Sequence, residues 1–171
     1  MSKECLNKGI PNYLHQGERK EDQIFDADEL LFRRFKVTPP KELWLTDNSV
    51  SANVFKLEND SYNRGKYSNA PNDVLYNKDA SSPEDHFFSW GILSLLCEKV
   101  EQTPFPVDIE NFTWTLTFKV VHKPETCIYP HSEIHSYKDG EVIKELPGRS
   151  CRAAVRRALI KLCTIIKELD T

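Results

Sequence analysis

The chain has 171 residues, of which 39% are hydrophobic and 29% are charged, and its formal net charge at pH 7 is −3. This length suits one domain with its own core, and the hydrophobic fraction excludes a chain that is disordered throughout. A charge so close to neutral excludes a protein whose whole surface binds nucleic acid.

Apolar stretches and cysteines bear on the cell compartment. No apolar stretch approaches the ~20 residues that span a bilayer, and the segment from Met1 to Gln16 lacks the apolar centre of a signal peptide. The cysteines are odd in number and form no Cys-x-x-Cys pair, which is typical of free thiols rather than of disulfides or zinc ligands. They are Cys5, Cys97, Cys127, Cys151 and Cys163. We therefore expect a soluble, cytoplasmic protein with reduced cysteines.

The N-terminal part of the chain carries weak structural signals. Residues 1–23 are polar and interrupted by glycine and proline, which predicts an irregular arm ahead of one α+β domain over residues 24–171. The segment from Asp26 to Val37 fits either a short helix or a strand. A strand would turn either Arg33 or Arg34 inward, where a buried charge requires a partner.

Residues 58–79 are rich in asparagine and contain one compact apolar pair, which predicts a long surface loop. Aromatic and basic residues are interleaved in it: Tyr62, Arg64, Lys66 and Tyr67. Aromatic rings can stack on a nucleotide ring while cations hold its phosphate, so these four are candidates for a substrate-binding loop. The alternative is a plain surface loop whose tyrosines pack back onto the fold.

Two amphipathic helices are predicted. The first covers residues 82–101, with Ser82 as its N-cap, Pro83 at the first helical position and apolar residues at helical spacing. The second covers residues 150–169 and carries one apolar stripe that includes Val155.

Three strands are predicted between these helices. Residues 112–121 alternate strictly between apolar and polar side chains, as in a half-buried strand. The extended runs 127–137 and 141–145 flank the hairpin signal Lys138-Asp139-Gly140. The expected fold class is therefore α+β, with an antiparallel sheet of these main strands packed by the two helices.

His131, Glu133 and His135 are the candidate catalytic residues. Alternate side chains of a strand project from the same face, so a continuous strand would align all three. Histidine titrates near neutrality, and a neighbouring carboxylate can fix its tautomer, which suits general acid/base chemistry. Two alternatives stay open: a metal site built from two nitrogens and one oxygen, and a solvated polar face without chemistry.

Arg149, Arg152 and Arg156 are the candidate phosphate or polyanion ligands. Their spacing places three guanidinium groups in one row on the predicted C-terminal helix, a geometry suited to phosphates. The alternative is the solvated back of a core helix, paired with the acidic remainder of the chain.

Two functions are consistent with these patterns. The first is a small cytoplasmic enzyme that acts on a phosphorylated or nucleotide-type substrate through the His-x-Glu-x-His cluster, with no cofactor predicted. The second is a non-catalytic module that binds a protein or nucleic-acid partner through the long loop and the basic C-terminal helix. No membrane partner is expected, and the oligomeric state stays open. The enzyme requires the histidines, an arginine and a concave pocket in one place.

Overall fold

The computed structural model describes residues 3–36, 45–46, 49–57, 60–109, 112–143, 145–146 and 148–167, with the side chains of 45–46, 49, 107–109, 112–114 and 167 excepted. The strands are β1 (Leu30–Phe35), β2 (Leu45–Thr46), β3 (Ser49–Val50), β4 (Ser61–Arg64), β5 (Gly91–Leu96), β6 (Phe105–Ile109), β7 (Phe112–His122), β8 (His131–Lys138), β9 (Glu141–Val142) and β10 (Cys163–Lys167). The α-helices are α1 (Lys3–Asn7), α2 (Cys97–Gln102) and α3 (Gly148–Lys161). Within the described ranges, no helix combines the length and the apolar character that a membrane span requires.

The fold is α+β, as the sequence predicts, and its main element is a curled antiparallel sheet. The strand order is β10-β5-β1-β4-β8-β7-β6, and β9 also pairs with β8. Because β7 pairs with β8 from Ser132 to Lys138, β4 and β9 share the opposite edge of β8. Pro106 lies in β6, at one end of the strand order, where its missing N–H removes no bond from the interior of the sheet.

The strand predicted over residues 112–121 is confirmed as β7. Its alternation matches its burial: Leu116, Phe118 and Val120 are buried, whereas the intervening side chains from Thr115 to Lys119 are exposed. The buried side chains join one core cluster with Leu159 of α3, so the sheet packs against that helix.

The helix predicted over residues 82–101 is wrong. Residues 83–85 form a single 3₁₀ turn, residues 91–96 form β5, and only residues 97–102 are α-helical. β5 pairs with both β1 and β10, and residues 91–95 are all buried. A strand buried on both faces shows no alternation, so its apolar run resembles the stripe of a helix. Gly91 fits closely in this strand, because a Cβ atom there would lie 2.4 Å from Cζ of Phe35.

The other predicted elements are shorter than expected. The C-terminal helix ends at Lys161 instead of residue 169, and β10 follows and pairs with β5. The β-branched run from Thr164 to Ile166 favours that strand. The predicted strand at 127–137 begins at His131, and within the range 141–145 the described strand is Glu141–Val142.

The predicted loop at 58–79 and the ambiguous segment before it both contribute strands to the sheet. Residues 61–64 form β4, which lies between β1 and β8, and Tyr62, Asn63 and Arg64 are buried there. Residues 30–35 form β1, and its Arg33 is buried and paired with Asp60 at 2.6 Å. The sequence predicts that such an inward arginine needs a partner, and Asp60 is that partner.

A disulfide joins the N-terminal arm to the chain ahead of β8, which contradicts the prediction of free cysteines. Cys5 and Cys127 are bonded across 122 residues of sequence, with their Cα atoms 5.5 Å apart. They belong to a small cluster of buried side chains that includes Ile10 and Leu14. The distance between two cysteines in the sequence does not indicate their distance in the fold, so the sequence does not predict this disulfide. Disulfides persist mainly in oxidising compartments, and the cytoplasmic location stays a prediction without structural support.

Candidate functional site

A carboxylate, an imidazole and an ammonium group meet where β7 passes into β8. Lys123 directly follows β7, and Glu133 and His135 lie on β8. The ammonium Nζ of Lys123 donates to both carboxylate oxygens of Glu133, at 3.0 and 3.1 Å. Nε2 of His135 lies 3.0 Å from Oε2 of the same carboxylate. The carboxylate of Glu133 therefore contacts both an ammonium group and an imidazole on one face of the sheet.

The charge state of Glu133 follows from two opposed effects. Burial raises the pKa of this carboxyl, whereas hydrogen bonds from Lys123 and His135 lower it. The hydrogen bonds outweigh the burial, so the pKa of Glu133 lies below its ordinary value and the carboxylate is ionised at neutral pH.

The ionised carboxylate determines the tautomer of His135. A carboxylate can only accept hydrogen bonds, so the hydrogen of this contact belongs to Nε2 of the imidazole. In the neutral ring Nδ1 then carries a lone pair that can take up a proton. The side chain of His135 is 32% exposed, which leaves the ring accessible to a ligand.

His131 has a different environment from the other two candidate residues. It is buried, and its Nδ1 lies 2.6 Å from the backbone carbonyl oxygen of Lys123. The backbone N–H of Lys123 in turn donates to the carbonyl of His131 at 3.0 Å. His131 thus holds the Lys123 backbone beside β8 through these two hydrogen bonds.

A cavity of about 590 Å³ opens beside Glu133 and His135, within the range of roughly 300 to 1,000 Å³ that small-molecule pockets occupy. It forms because the pairing of β8 with β4 ends at Glu133, and the pairing with β9 begins at Tyr137. Its lining combines polar side chains, among them Lys123, Glu133, His135 and Glu145, with apolar ones, among them Leu57, Val142 and Leu146. Its described lining contains no arginine.

The four candidate residues of the predicted substrate loop are engaged within the protein. Tyr62 and Arg64 are buried in β4, with Arg64 held by Glu29. Lys66 forms an ion pair with Asp22, and the hydroxyl of Tyr67 donates to the same carboxylate. These contacts join the N-terminal arm to the sheet, so the structure does not bring the four residues to the cavity beside His135.

The three arginines of the C-terminal helix have different environments and do not form one binding row. Nε of Arg156 donates to the carbonyl oxygen of Phe55 at 2.6 Å and fastens that segment to α3. Arg152 lies 4.0 Å from a carboxylate oxygen of Glu145, and Arg149 is exposed. The structure does not bring any of the three into the cavity beside His135.

Sequence reasoning missed Lys123. Its distance from Glu133 depends on the register of β7 against β8 and on the turn between them, which no local pattern specifies. Among the described residues, no group of three or more histidine, cysteine or acidic side chains could hold a metal ion.

Comparison with protein-family models, with curated proteins and with solved structures finds no match to this chain. The chemistry of the protein must therefore be deduced from its own side chains.

Proposed function

We propose that this protein is an enzyme that uses the cavity beside Glu133 and His135 for proton transfer on a small phosphorylated substrate. The observation that carries the proposal is the contact of His135 with an ionised, largely buried carboxylate at the wall of a cavity. A histidine oriented by a carboxylate is a common arrangement for a general base or acid.

Each side chain has a distinct role in this proposal. Glu133 orients the imidazole of His135, while Nδ1 of His135 accepts a proton from water or a substrate hydroxyl. No arginine lies in the described lining, so Lys123, whose side chain is 58% exposed, takes the role of binding the phosphate at the rim, beside the carboxylates of Glu133 and Glu145. His131 positions Lys123 through its backbone carbonyl.

The simplest reaction of this kind is hydrolysis of a phosphate ester. His135 takes one proton from water as the water oxygen forms a bond to phosphorus. The bond from phosphorus to the ester oxygen breaks, and the protonated imidazole returns the proton to the departing oxygen. The products are an alcohol and inorganic phosphate, and the histidine ends the cycle in its starting form.

Release of inorganic phosphate from a panel of sugar phosphates and nucleoside phosphates tests the proposal. We expect at least one member to be hydrolysed, and we expect His135→Gln and Glu133→Gln each to lower the rate by about 10²- to 10⁴-fold. Glu141→Gln is the matched control, because Glu141 is exposed on the neighbouring β9 and does not line the cavity. Failure to hydrolyse any panel member, or equal losses in all three variants, would overturn the proposal.

A further inference from the structure

A second cavity, of about 430 Å³, lies at the end of β1. The pairing of β1 with β4 covers only Leu31 and Phe32, so the two strands separate from Arg33 onward. Parts of the segments 53–61 and 87–90 enclose the space that this separation leaves. Among the described residues, it has no lining residue in common with the cavity beside His135.

The lining of this cavity is strongly cationic. Its described lining contains Arg33, Arg34, Lys36 and Lys56 and a single carboxylate, that of Asp60, so these residues carry a formal net charge of +3. Asp60 is already engaged by Arg33 and by the backbone N–H groups of Lys56 and Leu57, the latter two at 3.1 Å. A cavity of this charge, in a chain whose net charge is −3, favours an anionic ligand.

Arg33 is fixed at one wall of this cavity by its hydrogen bonds. Its Nη2 donates to the carbonyl oxygen of Val54 at 2.8 Å and to Asp60 at 2.6 Å. The side chain is only 8% exposed, and its Nε is buried. Among the described residues, this Nε has no hydrogen-bond partner. Buried N–H groups are almost always satisfied, because an unsatisfied one keeps its full desolvation cost. Because this Nε is buried, a ligand in the cavity meets the guanidinium of Arg33 as a fixed positive charge and not through this N–H.

One wall of the same cavity is aromatic. The rings of Phe87 and Trp90 lie with their centroids 4.5 Å apart, and the guanidinium of Arg34 lies 4.4 Å from the centre of the Phe87 ring. Burial, together with neighbouring Arg33, lowers the pKa of Arg34 to about 10, which leaves it charged at neutral pH. Phe87 and Trp90 are only half-buried, so a planar ligand can contact them.

We propose that this cavity binds a small ligand that combines an aromatic ring with a phosphate, as a nucleoside monophosphate does. The ring stacks on Trp90, since Phe87 is tilted by 47° from it and already contacts Arg34, and the phosphate lies against Arg33, Lys36 and Lys56. Stacking on aromatic residues beside arginine and lysine is a general way to hold a nucleotide. A doubly charged phosphate fits the surplus of positive charge better than a carboxylate with a single charge does.

Isothermal titration calorimetry with AMP tests this proposal, with adenosine, ribose 5-phosphate and inorganic phosphate as matched ligands. We expect AMP to bind, and each of the other three to bind at least tenfold more weakly, since they lack either the phosphate or the ring. The double variant Lys36→Ser/Lys56→Ser should lose at least tenfold in AMP affinity. Both lysines are exposed, so the double substitution leaves the core intact.

Two controls separate a specific site from general attraction. Lys99→Ser/Lys161→Ser removes the same charge from two exposed lysines that do not line the cavity, and it should bind AMP like the parent. Trp90→Ala should weaken AMP binding at least tenfold, while Trp90→Phe should retain most of it.

Three results would overturn the proposal: no heat of binding with millimolar AMP, equal affinity for AMP and adenosine, or equal losses in the two lysine double variants. None of the substituted residues lines the cavity beside His135. A negative result in these AMP-binding experiments therefore would not contradict the proposed hydrolase activity. Loss of that activity would likewise leave this site standing.

Discussion

Arg64 and Glu29 form a bidentate ion pair in the interior of the protein. Nε of Arg64 donates to one carboxylate oxygen and Nη2 to the other, both at 2.7 Å, and the two side chains are 0% and 2% exposed. The remaining donors of Arg64 reach the carbonyl oxygens of Asp22 and Ile24, and its guanidinium lies 3.8 Å from the centre of the Phe25 ring. This one side chain therefore connects β4 to the segment that leads into β1.

Replacing Arg64 should destabilise the protein strongly. Arg64→Met leaves the Glu29 carboxylate buried without its partner, and Arg64→Lys cannot reproduce the planar fork of donors. We expect each to lower the free energy of unfolding by about 3 to 5 kcal/mol, measured by urea denaturation. The double variant Arg64→Met/Glu29→Met should be more stable than Arg64→Met alone, because no charge is then left unpaired. Additive losses would contradict this account.

Reduction of the disulfide should loosen the whole fold. The bond between Cys5 and Cys127 closes a loop of over 100 residues in the unfolded chain, so the double variant Cys5→Ser/Cys127→Ser should lose about 2 to 5 kcal/mol. A reducing agent should lower the Tm of the parent and leave that of the double variant unchanged. Titration of thiols in the unfolded, unreduced chain should find three, those of Cys97, Cys151 and Cys163. A count of five would contradict the bond.

Acid should remove a stabilising contribution from Glu133. Its pKa is lower in the folded protein than the ordinary value of 4.5, so the folded state favours the ionised form. This contribution is present above pH 4.5 and is lost as the pH falls through the lower, folded-state pKa. We expect the stability difference between the parent and Glu133→Gln to shrink from pH 6 to pH 3 in urea unfolding. Glu141→Gln serves as the exposed control, and a difference that is constant with pH would refute the assignment.

Arg156 should matter for stability more than its neighbour Arg157. Arg156 donates to the carbonyl of Phe55, whereas Arg157 is exposed. Arg156→Ala should cost about 1 to 3 kcal/mol, and Arg157→Ala less than about 0.5 kcal/mol. Thermal denaturation of the two variants compares them directly. Equal midpoints would mean that the contact with Phe55 does not stabilise the fold.

The sequence predicts a secondary-structure element correctly where one face of that element is exposed to solvent. β7 was predictable because its buried side chains, such as Leu116, alternate with exposed ones, such as Thr117. β5 was not, because Ile92 and Leu93 point to opposite faces of the sheet and both are fully buried. Periodicity carries information only where one side of an element meets water.

Only part of the candidate site can be predicted from local sequence patterns. That Glu133 and His135 share a strand face follows from local alternation, which the sequence displays. The approach of Lys123 and the burial of His131 depend on the register between two strands, and no local pattern encodes that register. The cationic cavity at β1 was invisible for the same reason, since Arg33, Lys56 and Trp90 converge only in the folded chain.

The place of β10 in the sheet bears on how the chain avoids self-association. β10 covers the edge of β5 that β1 leaves free. β5 reads Gly-Ile-Leu-Ser-Leu-Leu, an uncharged segment without proline of the kind that assembles into stacked sheets when it is exposed. In the folded protein, residues 163–167 pair with this edge. We expect a truncation ahead of Cys163 to uncover this edge of β5 and to lower the solubility of the chain as well as its stability.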